Sequence, residues 1–290
     1  MTPWEPYAMN YNTLISSETV NQHLHQSDWV IIDCRFSLAN TKQGKNAYQH
    51  GHIPYARYAH LEHDLSSSIT PCTGRHPLPD VRVLVEKLGN WGISNHTQVV
   101  VYDDAGGAFA SRLWWMLRYW LGHEKVAVLD GGIQAWQTHF DLVTTLPHIT
   151  STTFRPYLND AHCLTALQVQ NALAQKKSCL IDARNPERYR GEIEPIDRVA
   201  GHIPYAVNRS FQSNLDKSGL FLSPETLHRE FQMVIGNKPP ENTMHYCGSG
   251  VTACHNLLAM EYAGLSGSKL YAGSWSEWIC NRNRSIVACK

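Results

Sequence analysis

Short, wholly apolar runs alternate along the chain with windows of helical spacing. Val30-Ile31-Ile32-Asp33, Val99-Val100-Val101-Tyr102 and Val126-Ala127-Val128-Leu129 carry no polar residue on either face until their last position. A strand apolar on both faces belongs inside a sheet that is covered on both sides, which is the habit of parallel sheets. Between such runs, windows like the one from Ser111 to Leu121 have the spacing of a helix. From about Asp141 to Asp160, where Thr144-Thr145-Leu146-Pro147 and Ser151-Thr152-Thr153-Phe154-Arg155-Pro156 stand, neither period is present, and the stretch predicts a linker.

The pattern occurs twice. Gly51-His52-Ile53-Pro54-Tyr55-Ala56 returns letter for letter as Gly201-His202-Ile203-Pro204-Tyr205-Ala206, and its surroundings return with it. Upstream, Val30 to Arg35 matches Cys179 to Arg184. Downstream, Val99 to Asp103 matches Thr243 to Cys247, and Leu129 to Trp136 matches Tyr271 to Trp278. The fold class predicted is α/β, with two tandem doubly wound domains, each a mostly parallel sheet covered by helices. The first copy is assigned to residues 1–140, the linker to 141–160 and the second copy to 161–290. Ligands of such sheets gather at the carboxyl ends of the strands.

Cys247 falls at such an end. It follows the strand-like Thr243-Met244-His245-Tyr246 and opens Cys247-Gly248-Ser249-Gly250-Val251-Thr252, after which Val251 to Met260 has the spacing of a helix with one apolar face. Glycines let the backbone curl around the sulfur, and a helix start leaves its first amides unpaired. Those donors and the helix dipole favour a sulfur anion and make Cys247 the candidate nucleophile. The loop is not a phosphatase loop: the sixth residue after Cys247 is Ala253, and no Arg or Lys is present to grip a phosphate. In the first copy Asp103 holds the place of Cys247, followed by Asp104-Ala105-Gly106-Gly107. That copy is expected to lack chemistry, to repel anions from its loop, and to serve as a scaffold or a wall of the cleft.

Composition narrows the partners. The 290 residues are 43% hydrophobic and 17% charged with a formal net charge of zero, so no nucleic acid or acidic membrane would be found by bulk electrostatics. The apolar window from Leu113 to Leu121 contains Arg118 and is far short of the roughly 20 residues of a membrane span. Met1 to Tyr7 has no basic segment followed by an apolar run, so no secretory leader is expected and a cytoplasmic protein is. The eight cysteines form no C-x-x-C pair and predict free thiols in a reducing compartment. His60-x-x-His63 and His50-x-His52 lack the H-E-x-x-H pattern, and no metal site is expected.

Asp33-Cys34-Arg35-Phe36, the Gly-His-Ile-Pro pair, Thr73-Gly74-Arg75-His76-Pro77-Leu78-Pro79, Arg188-Tyr189-Arg190-Gly191-Glu192, the Cys247 loop and Gly273-Ser274-Trp275-Ser276-Glu277-Trp278 together resemble the tandem rhodanese-fold sulfurtransferases, the thiosulfate and 3-mercaptopyruvate family. The likeness runs from about Leu14 to Trp278. It implies two rhodanese-like domains of which the first is silent, and a Cys247 that accepts sulfane sulfur as a persulfide and passes it on. It implies further that Arg188 holds a substrate carboxylate, that His76 and Ser249 act together, and that Glu62 completes their trio where the branch has Asp. The loop residues Gly248, Gly250, Val251 and Thr252 would line the substrate. The relatives' second clamp arginine has two readings here, in a turn two residues shorter than theirs: Arg198 takes its place, or the clamp is single. Cys-Gly-Ser-Gly-Val-Thr resembles the mercaptopyruvate branch, and the thiosulfate branch has basic residues there. The implied reaction needs no cofactor and no metal. It takes a small-molecule sulfur donor and a thiol, cyanide or protein-thiol acceptor; the alternatives are a thiosulfate:cyanide sulfurtransferase or a protein sulfur-relay module. By contrast, Asp33, Arg35, Asp182 and Arg184 are expected to be structural ion pairs, His52 and His202 structural, and Cys254 a core residue.

Overall fold

A computed structural model describes residues 11–288; the amino-terminal stretch judged leaderless and Cys289 lie outside the described residues. The first sheet holds β1 (Leu14–Ile15), β2 (Trp29–Asp33), β3 (Arg57–Tyr58), β4 (Gln98–Tyr102) and β5 (Val126–Leu129), all parallel, in the order β1-β5-β4-β2-β3. The second holds β6 (Cys179–Asp182), β7 (Val207–Asn208), β8 (Thr243–Tyr246) and β9 (Lys269–Leu270) in the order β7-β6-β8-β9, again parallel. A parallel bridge from Cys163 to Leu270 stands where β1 stands in the first sheet. The predicted apolar runs are these strands, and β4, β5, β6 and β8 are buried at every position.

Helices cover both faces. Around the first sheet lie α1 (Ser17–Gln22), α2 (Gln43–His50), α3 (Val81–Asn90), α4 (Ala110–Trp115) and α5 (Gly132–Gln137). Around the second lie α6 (Ala166–Ala174), α7 (Pro186–Arg190), α8 (Pro224–Ile235), α9 (Ala253–Tyr262) and α10 (Ser274–Trp278). The helical window from Ser111 is α4, continued by a π-helical turn over Met116–Trp120. The one-sided helix expected after Cys247 is instead buried at every position from Ala253 to Met260. The reason lies outside its own domain: α4 packs on α9, and one apolar core runs from Val30 and Trp114 through to Leu257 and Ala272.

The repeat extends to single hydrogen bonds. Arg35 Nη2 donates to Asp33 at 2.6 Å and to the Gly51 carbonyl at 2.7 Å, and Arg184 Nη2 does the same with Asp182 and Gly201 at the same distances. His52 pairs its Nδ1 with the Tyr48 carbonyl and stacks on that ring; His202 does so with Tyr189. These are struts that occur in both copies. They carry the strand ends into position and have no part confined to one loop.

Candidate active site

Cys247 is the first residue beyond β8 and is 2% exposed. Its N–H donates to Ser274 Oγ at 3.1 Å and its carbonyl accepts the Trp275 N–H at 3.0 Å; the Gly248 carbonyl accepts the Ser276 N–H at 2.9 Å. The start of α10 thus pins the backbone on either side of the sulfur. Gly250 has φ of 76°, and a Cβ there would collide with the Ala272 carbonyl oxygen, so only glycine lets the loop curl. Among the described residues, the amides of Gly248 to Ala253 donate to no protein acceptor.

The first copy shows what such a loop prefers. The Asp103 carboxylate sits in its own loop, Oδ1 accepting the N–H groups of Ala105 and Gly107 and Oδ2 those of Phe109 and Ala110, all at 2.7–2.8 Å. The loop geometry gathers a carboxylate, here one that the loop itself supplies. Its amides are already satisfied by a carboxylate of the same chain.

Between the domains opens a cavity of about 380 Å3. The second domain contributes Arg184, Arg188, Cys247, Gly248, Ser249, Val251 and Thr252, and the first contributes Leu61, Arg75, His76 and Phe109. His76 Nδ1 lies 2.7 Å from Ser249 Oγ, so the two residues paired by resemblance do meet, across the domain boundary. Burial, with Arg112 and Arg75 nearby, pushes the His76 imidazolium down to about 3. The ring is therefore neutral at physiological pH and acts as a hydrogen-bond partner of the serine.

Glu62 does not join them. It is exposed, its N–H is tied to His60 Nδ1 at 3.1 Å, and it lines a separate surface cavity. The backbone turn from His60 to Leu65 directs it away from the cleft. Arg198 is likewise absent from the cavity wall; its Nη2 donates to the Ile279 carbonyl at 2.8 Å. In the shortened turn Ile196 reaches the cavity, and Asp197 ties together the arginines of its wall.

Arg188 is in the cavity but not free. Its Nη2 and Nε hold Glu194 at 2.7 and 3.2 Å, and Nη2 also meets Asp197 at 3.2 Å. The other oxygen of Asp197 is held by Arg75. The two guanidiniums flank Gly248: a Cβ on that residue would lie 2.7 Å from Arg75 Nη2 and 3.6 Å from both Nη atoms of Arg188. A cation therefore does stand beside the loop, supplied by the other domain. Arg75, Asp197 and the fully buried Arg112, whose Nη1 donates to the Gly250 carbonyl at 2.8 Å, are the residues that sequence reasoning missed. A signal existed for two of them. Arg75 adjoins His76 in a quoted motif, and Arg112 is a charge at the head of the most apolar window in the chain.

The Rhodanese-like domain model matches the chain twice, over residues 16–139 and 165–280. A Pseudomonas aeruginosa protein named "Probable 3-mercaptopyruvate sulfurtransferase" is 43% identical over 282 residues, 96% of this chain and 99% of that one. The thiosulfate sulfurtransferase of Mus musculus is 37% identical over 86% of this chain and 84% of its own. Among solved structures, the 3-mercaptopyruvate sulfurtransferase from Leishmania major superposes with a TM-score of 0.80 at 28% identity, covering 94% of this chain and 75% of its own. Among the described residues no helix is long and apolar enough to cross a membrane, and no group of three or more His, Cys, Asp or Glu could hold a metal ion.

Proposed function

The chain belongs to the rhodanese-like family and is a sulfurtransferase, and on that premise we propose that it takes sulfur from 3-mercaptopyruvate onto Cys247 and hands it to a thiol, cyanide or protein thiol. The Cys247 thiolate attacks the donor sulfur, and a sulfur–sulfur bond forms. The carbon–sulfur bond breaks with its electron pair passing to carbon, so the donor leaves as pyruvate enolate and is then protonated. Ser249, hydrogen-bonded to His76, is assigned to donate to the developing enolate oxygen. The persulfide anion rests against the loop amides until the acceptor attacks the outer sulfur. The first domain carries no nucleophile in this scheme and lends His76 and Arg75 to the cleft. We also place the protein in the cytoplasm, on the strength of seven described cysteines, all free.

The observation that carries the reading is the pair of arginines beside Gly248. Mercaptopyruvate holds its carboxylate several bonds from its sulfur, which suits a grip by Arg188 and Arg75 while the sulfur faces Cys247. One charge-assisted hydrogen bond contributes about 1.5–3 kcal/mol, so Arg188→Ala and Arg75→Ala should each lower kcat/KM for mercaptopyruvate roughly 10- to 100-fold. Arg198→Ala should cost less, because its guanidinium is engaged with Ile279. Steady-state rates with mercaptopyruvate and with thiosulfate, in the absence of added protein acceptor, test the assignment. The same Arg75 supports the second reading, since a cation close to the nucleophile also suits the compact thiosulfate dianion. A higher kcat/KM on thiosulfate in the native chain would transfer the assignment to that donor, and slight turnover of both would indicate a protein relay.

A further inference from the structure

Arg112 is fully buried, and no carboxylate among the described residues pairs with it. A lone buried guanidinium is strongly unfavourable unless something nearby needs its charge. Its two Nη atoms bond to carbonyls: Nη1 to Gly250 at 2.8 Å and Nη2 to His76 at 3.0 Å, while Nε has no hydrogen-bond partner among the described residues. Burial pulls the guanidinium down from its ordinary value, and the thiols of Cys254, Cys163 and Cys247 pull it back. The groups around this cation are therefore sulfurs, and of these burial pushes Cys254 up to about 12 and Cys163 up to about 11, so neither offsets its charge at neutral pH.

The repeat supplies the comparison. In the first copy the carbonyl equivalent to that of Gly250 is Gly106, and it is also held from the opposite domain, by His255 Nε2 at 2.9 Å. Burial keeps the His255 imidazole neutral, its value down at about 4. The silent loop is thus braced by a neutral ring and the cysteine loop by a cation. In a trans peptide the carbonyl and the following N–H point in opposite directions. Holding the Gly250 carbonyl outward therefore turns the Val251 N–H toward Cys247, as the equivalent Gly107 N–H is turned onto Asp103.

We propose that Arg112, delivered by the first domain, is the positioning residue of the Cys247 loop: its fork orients the Val251 amide and the His76 backbone, and its unpaired charge favours the anionic form of Cys247 and of its persulfide. The proposal rests on Cys247 being the sulfur carrier. The other ionisable groups around this sulfur are Cys254 and Cys163 beside Arg112, and His76, Arg75, Arg184 and Arg188 in the cavity, the last three tied to Asp182, Glu194 and Asp197.

The test is iodoacetamide alkylation of the full chain, followed at Cys247 by peptide mass as a function of pH, in the native protein, Arg112→Gln and Arg112→Lys. Arg112→Gln keeps part of the hydrogen bonding and loses the charge. It should slow alkylation of Cys247 tenfold or more at neutral pH and raise the pH midpoint by about one unit. Arg112→Lys keeps the charge and loses the fork, so its midpoint should stay near that of the native protein while kcat falls roughly tenfold. Native rate and midpoint in a folded Arg112→Gln would overturn the electrostatic role. If that variant does not fold, native kcat in Arg112→Lys would overturn the orienting role, and a raised midpoint in it the electrostatic one. A native protein that forms no persulfide at Cys247 would instead sink the assignment of the sulfur carrier, and the alkylation rates would still judge Arg112.

Discussion

Cys247→Ser should keep its fold and lose sulfur transfer by a factor on the order of a thousand or more, as expected when a covalent nucleophile is removed. The fold survives because the loop is held by its backbone, through Ser274, Trp275 and Ser276, and the Cys247 sulfur itself makes no hydrogen bond among the described residues. Activity fails because a serine hydroxyl does not ionise at neutral pH and forms no persulfide. Cys254 cannot take over. It is fully buried seven residues on, donates to the Gly250 carbonyl at 3.4 Å, and burial pushes its thiol up to about 12. Circular dichroism and steady-state assay of the variant decide the matter; transfer at a substantial fraction of the native rate would move the nucleophile elsewhere.

A second large effect is acid lability. His76, His123, His245 and His255 are 0–3% exposed, and burial pushes them down to about 3, 4, 3 and 4. Among the described residues His245 Nδ1 has no hydrogen-bond partner, and its Nε2 meets the Met260 sulfur. Each ring is neutral in the folded chain below the pH at which it charges in the unfolded one, near 6.5. The unfolded state then binds more protons, so stability falls as pH falls, from about 6.5 down to the folded values. One such ring costs about 1.4 kcal/mol per pH unit, and four remove on the order of 8 kcal/mol by pH 5, comparable to the whole stability of a typical domain. Carboxylates raised by desolvation, such as the buried Asp33 and the half-buried Asp130, offset this only toward the foot of the transition, where carboxylates begin to take protons. The melting temperature should drop by roughly 10 °C or more between pH 7.5 and pH 5. A flat profile over that interval would mean that these rings charge without unfolding the chain.

Most of the fold was legible because it rests on local chemistry repeated twice. Apolar runs marked the central strands, the duplicated Gly-His-Ile-Pro segment fixed the two copies, and the glycine-rich stretch after Tyr246 located the cysteine loop. The short edge strands, such as β3 and β9 with two residues each, leave no periodic trace. The all-round burial of α9 was hidden for a related reason: its outer face is covered by α4, far away in sequence. The site divides along the same line. His76 and Ser249 came from the resemblance and do meet. Glu62 and Arg198 came from it too, yet a local turn and a shortened one send them elsewhere. Arg75, Asp197 and Arg112 act through contacts between the domains, and spacing within a single copy carries no information about those.

One covalent event underlies the assignment of Cys247 as the sulfur carrier. Intact-mass analysis of the reduced chain after brief mixing with mercaptopyruvate, without acceptor, should show one added sulfur, lost again on adding cyanide or a thiol. Peptide mapping should place that sulfur on Cys247, and the Cys247→Ser chain should gain none. A sulfur mapped to any other cysteine, or a native chain that gains none from either mercaptopyruvate or thiosulfate, would contradict it.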